Sequence, residues 1–179
     1  MRGKHVLLCI FCVLVLLTIG LISFWTNKYH IVKTPVSIDE GAPLIASQSA
    51  EQAVVNRVID GDTIELLDGR RVRYIGMDTP ELGSLSIKDQ CFAQEATEKN
   101  KELVQGKEVK LLKDISETDK YKRLLRFVWV DGLFVNEYLL QEGFAKLESV
   151  PPDITYQNVF HAAEVKAKQE HIGLWKSCR

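Results

Sequence analysis

Hydrophobic and polar positions divide this chain into three unequal parts. Val6 to Trp25 is an unbroken apolar run without a charge, rich in Val, Leu, Ile, Phe and Cys. Residues 28 to about 50 mix Pro35, Gly41, Pro43 and several Ser and Ala with no sustained period, which reads as a tether. From Ala53 the pattern turns to strand. Val54, Val55, Val58 and Ile59 lead into Asp60-Gly61; Thr63, Ile64, Leu66 and Leu67 lead into Asp68-Gly69; Val72, Tyr74, Ile75 and Met77 follow. β-rich runs joined by Asp-Gly are a strong hairpin signal, and three in succession suggest a meander or small barrel.

The second half alternates helix and strand. Leu82 to Gln90 is polar and irregular, a loop. Cys91 to Gln105 suits a helix, with Phe92, Ala96, Lys99 and Leu103 near the helical period and Gly106 to stop it. Glu108–Lys113 and Leu124–Val130 read as strands joined by the charged stretch Asp114–Lys122. Val135 to Glu142 is a short helix with Val135, Leu139 and Leu140 inward, ended by Gly143. Pro151-Pro152-Asp153 breaks the chain before a last helix from about Thr155 to Glu170, closed by His171-Ile172-Gly173. The expectation is an α+β domain over residues 51–179, built on a small antiparallel barrel.

The apolar run is long enough to cross a bilayer, which takes about 20 residues, whereas a cleavable signal usually has an apolar core of about 7–15. An uncleaved anchor over residues 1–27 is favoured over a signal peptide. Arg2, Lys4 and His5 ahead of it point to an N-terminus inside and a domain outside the cytoplasm.

Charge argues for a local site rather than a general field. The chain carries 23 Lys+Arg against 24 Asp+Glu, and without residues 1–27, which hold Arg2 and Lys4 and no acid, the remainder has 21 against 24, a net of −3. There is no global basic field to draw in nucleic acid. Of the four cysteines, Cys9 and Cys12 lie in the apolar run, while Cys91 and Cys178 belong to the domain. Outside the cytoplasm the latter two would pair, contributing about 4–5 kcal/mol by the chain-entropy model. The alternative is two separate buried thiols.

The candidate chemistry lies in four stretches: Asp60-Gly61-Asp62-Thr63, Arg73, Asp78-Thr79-Pro80-Glu81, and Asp119-Lys120-Tyr121-Lys122-Arg123. Adjacent strands could set Asp62 beside Asp78, where two like charges repel unless a proton or cation intervenes. Hard oxygen ligands with the Thr79 carbonyl suit Ca²⁺ or Mg²⁺ better than zinc. Glu81 follows a proline that stiffens its turn and is placed to take a proton from water. Arg73 and Arg123 offer the guanidinium fork that phosphoryl oxygens need. Each has an ordinary reading as well. Asp-Gly is turn chemistry, an exposed loop Glu is usually just solvated, and strand arginines keep edges soluble. Spacing does not select Arg73 over Arg71, since alternation puts both on one face.

As a set, these residues resemble the staphylococcal nuclease (thermonuclease) family. The resemblance runs from Val58-Ile59-Asp60-Gly61-Asp62-Thr63 through Arg73, Asp78-Thr79-Pro80-Glu81 and Thr118-Asp119-Lys120-Tyr121-x-Arg123. It continues in Val135-Asn136-Glu137, Glu142-Gly143-Phe144-Ala145-Lys146 and Gly173-Leu174-Trp175, covering about Ala53 to Trp175. It implies an OB-like five-stranded barrel with three helices and Ca²⁺-dependent hydrolysis of DNA and RNA to 3′-phosphates. By position, Asp62, Asp78 and the Thr79 carbonyl would hold Ca²⁺, Glu81 would act as general base, and Arg73 and Arg123 would bind the phosphate. Tyr121, with Lys120 beside it, would contact a neighbouring phosphate. Cys91 and Cys178 are similar to a pair found in some bacterial relatives. No protein partner is implied.

Two departures stand out. The family's glycine between Tyr121 and Arg123 is Lys122 here, which should alter or strain that turn. Two tyrosines that wall the nucleotide pocket are replaced by Ser149 and Pro151. Base stacking is worth about 1–3 kcal/mol, so weaker nucleotide binding is expected. The competing reading is a non-catalytic nucleic-acid- or protein-binding module on the same barrel. The retained carboxylates and arginines weigh against it.

Overall fold

A computed structural model describes residues 50–83 and 90–178. The apolar run, nearly all of the tether and most of the expected 82–90 loop lie outside the described residues. Among the described residues no helix is long and apolar enough to cross a membrane.

Eight strands and four helices follow in order among the described residues: β1 (Glu51–Val58), β2 (Thr63–Leu66), β3 (Arg71–Tyr74), β4 (Met77–Asp78), α1 (Ala93–Val104), β5 (Glu108–Leu112), β6 (Leu124–Val130), β7 (Leu133–Phe134), α2 (Val135–Gln141), β8 (Lys146–Leu147), α3 (Gln157–Glu170) and α4 (Leu174–Ser177). The sheet order β3-β2-β1-β5-β6, with β3 also pairing β6, closes a five-stranded barrel. The β3–β6 pairing is parallel, so the barrel is not the purely antiparallel one expected. β1 does two jobs. Glu51–Val54 pair with β5, whereas Val55–Val58 pair with β2 across a register shift between Val55 and Arg57. That irregularity bends the strand between two neighbours and lets the sheet curl shut.

The barrel fills with alternate residues such as Ile64, Leu66, Val72, Tyr74 and Leu111, all at most 1% exposed. α2 and α3 cover one end, where Phe127 packs edge-on to Tyr156 and Phe160.

The expected third strand is broken in two at Gly76. Its φ of +81° is the left-handed conformation, and a Cβ there would lie 2.4 Å from the Phe160 ring. The chain therefore turns out of the barrel and forms β4, which pairs with β8 through Met77–Leu147 and Asp78–Lys146. This two-stranded patch carries the site's outer wall.

α1 buries Ala93, Ala96, Thr97, Asn100 and Val104; of the Phe92–Ala96–Lys99–Leu103 stripe expected from periodicity, Ala96 is buried and the other three are half-buried. Cys91 and Cys178 form a disulfide, Cα–Cα 5.8 Å, that ties the chain just before α1 to the residue after α4.

Candidate active site

The β1–β2 turn is built to present Asp62. The Ile59 and Asp60 N–H groups both donate to the Thr63 carbonyl, and Asp60 Oδ1 accepts the Asp62 N–H at 3.0 Å. Gly61 between the acids is needed for space rather than dihedral freedom, because a Cβ there would sit 2.6–2.8 Å from three Thr79 side-chain atoms. Asp62 is buried, and its carboxylate is surrounded by donors. Thr79 N–H and Oγ1 donate to Oδ2 at 2.8 and 2.9 Å, Arg73 Nη1 lies 3.0 Å from the same oxygen, and Thr63 Oγ1 donates to Oδ1 at 3.1 Å.

From below, α1 supports the turn. Asn100 donates to the Asp60 carbonyl at 3.1 Å and accepts from the Tyr74 hydroxyl at 3.0 Å. Burial, then the adjacent Asp62 charge, lifts the Asp60 carboxyl to about 6. Burial also pushes the Tyr74 phenol well above its ordinary value.

Arg73 is separated from Arg71 by the turn that follows it. Arg71 stays exposed, 3.9 Å from Glu65, whereas the Arg73 guanidinium is only 12% exposed and sits among three carboxylates. Its Nη1 donates to the Met77 carbonyl at 2.7 Å, and its Nη2 to Asp78 at 2.8 Å and Glu148 at 3.1 Å. Asp78 is half exposed, yet its carboxyl is raised. Lost hydration is the main cause; Arg73 offsets it, while Asp62, Glu148 and Glu81 push further upward. Glu81 follows β4 on the exposed side, close enough for its charge to be felt at Asp78.

Arg123 is aimed by Asp119. The aspartate accepts the Tyr121 and Arg123 N–H groups at 2.8 and 3.0 Å on one oxygen and Arg123 Nε at 2.7 Å on the other. Burial alone would raise the Asp119 carboxyl, but these donors outweigh it and hold it below the ordinary range. Lys122 adopts φ +67°, so the turn keeps a glycine-like conformation with a lysine in it. Arg123 Nη1 reaches Thr63 Oγ1 at 3.5 Å, which joins it through Thr63 and Asp62 to Arg73. Lys120 Nζ and the Arg123 guanidinium lie 5.0 and 5.4 Å from the centre of the exposed Tyr121 ring. Arg126, by contrast, is buried and structural, donating to the Glu117 carbonyl and pairing with the Glu117 carboxylate.

Arg73, Arg123, Lys120, Tyr121, Glu148 and Val150 line one cleft of about 500 Å³. Ser149 lines not this cleft but a small hollow against Phe160 and Tyr156; the 148–150 segment contributes Glu148 and Val150 to the cleft wall. No aromatic side chain comes from this segment.

Among the described residues no three His, Cys, Asp or Glu side chains group as a metal site. The donor chemistry of Asp62, Asp78 and the Thr79 carbonyl nevertheless fits a hard cation that keeps several waters. All are oxygens, and the negative charge of Asp62, Glu148 and Glu81 that adds to lost hydration in raising Asp78 is what a divalent ion relieves.

Glu148 and Asn100 were not evident from the sequence, whereas Thr63 lies in the nominated Asp60–Thr63 stretch. Neither Glu148 nor Asn100 has a local signal, because their roles depend on contacts between distant elements.

The model of the family described as staphylococcal nuclease homologue matches residues 71–177. Endonuclease YncB of Bacillus subtilis (strain 168) is 39% identical over 126 residues, 68% of this chain and 60% of the relative. The SPbeta prophage-derived endonuclease YokF of the same strain is 38% identical over 126 residues, 68% of this chain and 43% of the relative. Thermonuclease of Staphylococcus intermedius is 35% identical over 129 residues, 70% of this chain and 77% of the relative. The matched part thus spans 60% or less of the two Bacillus proteins and about three quarters of the staphylococcal one.

Proposed function

The chain belongs to the staphylococcal nuclease family, and from that premise we propose that it is a nuclease hydrolysing phosphodiester bonds of DNA and RNA to 3′-phosphate products. The observation that carries the proposal is that Arg73 and Arg123 line one cleft and are linked through Thr63 and Asp62.

In this reading Glu81 takes a proton from water as the water oxygen attacks phosphorus. Arg73 and Arg123 meet the charge that builds on the phosphoryl oxygens, two guanidinium forks in a partly dry cleft. The P–O5′ bond breaks, the 5′-oxygen leaves with a proton from solvent, and the phosphate stays on the 3′ side. Lys120 and Tyr121, at the cleft edge, hold a neighbouring phosphate. Asp62, Asp78 and the Thr79 carbonyl are the groups that would hold Ca²⁺, which when bound supplies positive charge beside the phosphate. Export, with residues 6–25 as a membrane anchor, accords with the Cys91–Cys178 disulfide.

The test is digestion of single- and double-stranded DNA and of RNA by the purified protein, in Ca²⁺ and in chelator, followed by end-group analysis. Cleavage that needs Ca²⁺ and leaves 3′-phosphates is expected. Activity indifferent to chelation, or 5′-phosphate ends, would overturn the mechanism.

A further inference from the structure

Glu148 is the one carboxylate on Arg73 that reaches it from the β8 side of the cleft. Its side chain is 49% exposed, and its Oε2 accepts from Arg73 Nη2 at 3.1 Å. The backbone beneath is pinned, since the Glu148 N–H donates to the Gly76 carbonyl at 3.2 Å, so the side chain starts from a fixed point beside the cleft.

Counting the donors of Arg73 shows what this contact does. A guanidinium has five N–H bonds. Nη1 is committed to the Met77 and Tyr74 carbonyls, at 2.7 and 3.3 Å, and to Asp62 at 3.0 Å. Nη2 has two hydrogens, and Asp78 and Glu148 each accept one. A phosphate that takes two parallel hydrogen bonds from the remaining Nε–Nη2 edge must therefore displace a carboxylate. Asp78 is as exposed as Glu148 but makes the shorter contact with Nη2, 2.8 against 3.1 Å, and has the shorter side chain. The half-exposed Glu148 has a long side chain free to swing, and an ion pair this exposed holds weakly.

We propose that Glu148 is a specificity-determining residue, a resident competitor on Arg73 that favours singly charged phosphodiesters over doubly charged phosphomonoesters. The inference rests on the reading of Arg73 as a phosphate ligand. Repulsion between Glu148 and a ligand scales with the ligand's charge. A diester inside a nucleic-acid strand carries one negative charge at the phosphorus, whereas the 3′-phosphate left after cleavage carries up to two. A carboxylate next to the phosphate ligand thus penalises product more than substrate and promotes product release. It also makes Arg73 selective in a domain without a general basic field.

The experiment measures equilibrium binding of two probes, thymidine 3′-monophosphate and the dinucleoside monophosphate TpT, in chelator so that neither is turned over. The full chain, its Glu148→Gln variant and its Arg73→Gln variant are compared at low and high salt. Glu148→Gln should tighten the monophosphate about tenfold and TpT only about threefold, both gains shrinking in molar salt. Unchanged binding of both probes in Glu148→Gln overturns the proposal, as does weakening of both, which would make Glu148 a support for Arg73. If Arg73→Gln weakens neither probe, the assignment of Arg73 as phosphate ligand fails, and the proposal with it. If Arg73→Gln weakens both while Glu148→Gln matches the parent, only the role of Glu148 is lost.

Discussion

Thr79 gives both its backbone N–H and its hydroxyl to a single oxygen of Asp62, Oδ2, at 2.8 and 2.9 Å. The two residues come from different elements, Asp62 from the turn before β2 and Thr79 from the residue after β4. Their pairing ties the β1–β2 turn to the segment leading to Glu81, and the Asp62–Arg73 ion pair brings β3 into the same frame. A buried carboxylate that loses a donor keeps its desolvation cost without the compensating bond. Thr79→Val, nearly the same shape, is therefore expected to lower the unfolding free energy by about 2 kcal/mol. Urea denaturation monitored through the tryptophans measures it, and an unchanged midpoint would show the hydroxyl to be idle.

Asp60 gives the fold a pH dependence of definite sign. Its carboxyl is raised to about 6 in the folded protein, so between pH 4 and 6 the native state holds a proton that the unfolded chain has released. The group's contribution to stability is full below the unfolded value and is lost as pH rises through the folded one, by at most about 3 kcal/mol. Asp60→Asn should remove that slope from denaturation curves recorded in chelator across pH 4–6. Identical slopes in parent and variant would contradict it.

Lys122 holds φ +67° where a side chain is unfavourable. Lys122→Gly relieves roughly 1–2 kcal/mol of backbone strain and loses about 0.5–1 kcal/mol to the freer unfolded chain. A net stabilisation of up to about 1 kcal/mol is expected, with activity maintained, because Asp119 and not residue 122 aims Arg123. A lower melting temperature in the variant would count against this.

The aromatic surface missing from the 149–151 segment should be restorable at Val150 rather than at Ser149. Val150 is 56% exposed and lines the cleft, whereas Ser149 faces the hollow by Phe160. Stacking of one base is worth about 1–3 kcal/mol, so Val150→Tyr is expected to tighten a mononucleotide at least about fivefold and Ser149→Tyr to leave it near the parent value. Titration calorimetry on both variants decides. The reverse order would place the base against residue 149.

Much of this arrangement was legible in the chain, and the failures share a cause. Strands around Asp60-Gly61 and Asp68-Gly69 announce themselves because β-branched alternation and turn chemistry are local. α2 was read with its inward face, Val135, Leu139 and Leu140, because that face is apolar. α1 was not, since its buried face includes Thr97 and Asn100, polar residues whose partners, the Ala93 carbonyl, the Tyr74 hydroxyl and the Asp60 carbonyl, are invisible to a hydrophobic pattern. The same holds for Glu164 in α3, which is buried because it accepts the Leu147 N–H and pairs with Lys168. β4 and β8 are two residues long and have no period to detect; Gly76 creates them by turning the chain. At the site, the carboxylates and arginines could be nominated as a set from their order. That Arg73 and not Arg71 enters the cleft, and that Glu148 meets it there, follows from β4 pairing with β8.

A general base at Glu81 sets the rate of hydrolysis in the proposed mechanism. The most direct measurement is kcat of Glu81→Gln against the parent on single-stranded DNA in saturating Ca²⁺, with matched thermal unfolding curves. Loss of a general base typically costs about 10²–10⁴ in rate, and a fall of that size with unfolding unchanged is predicted. A variant that keeps kcat within about threefold of the parent would contradict it.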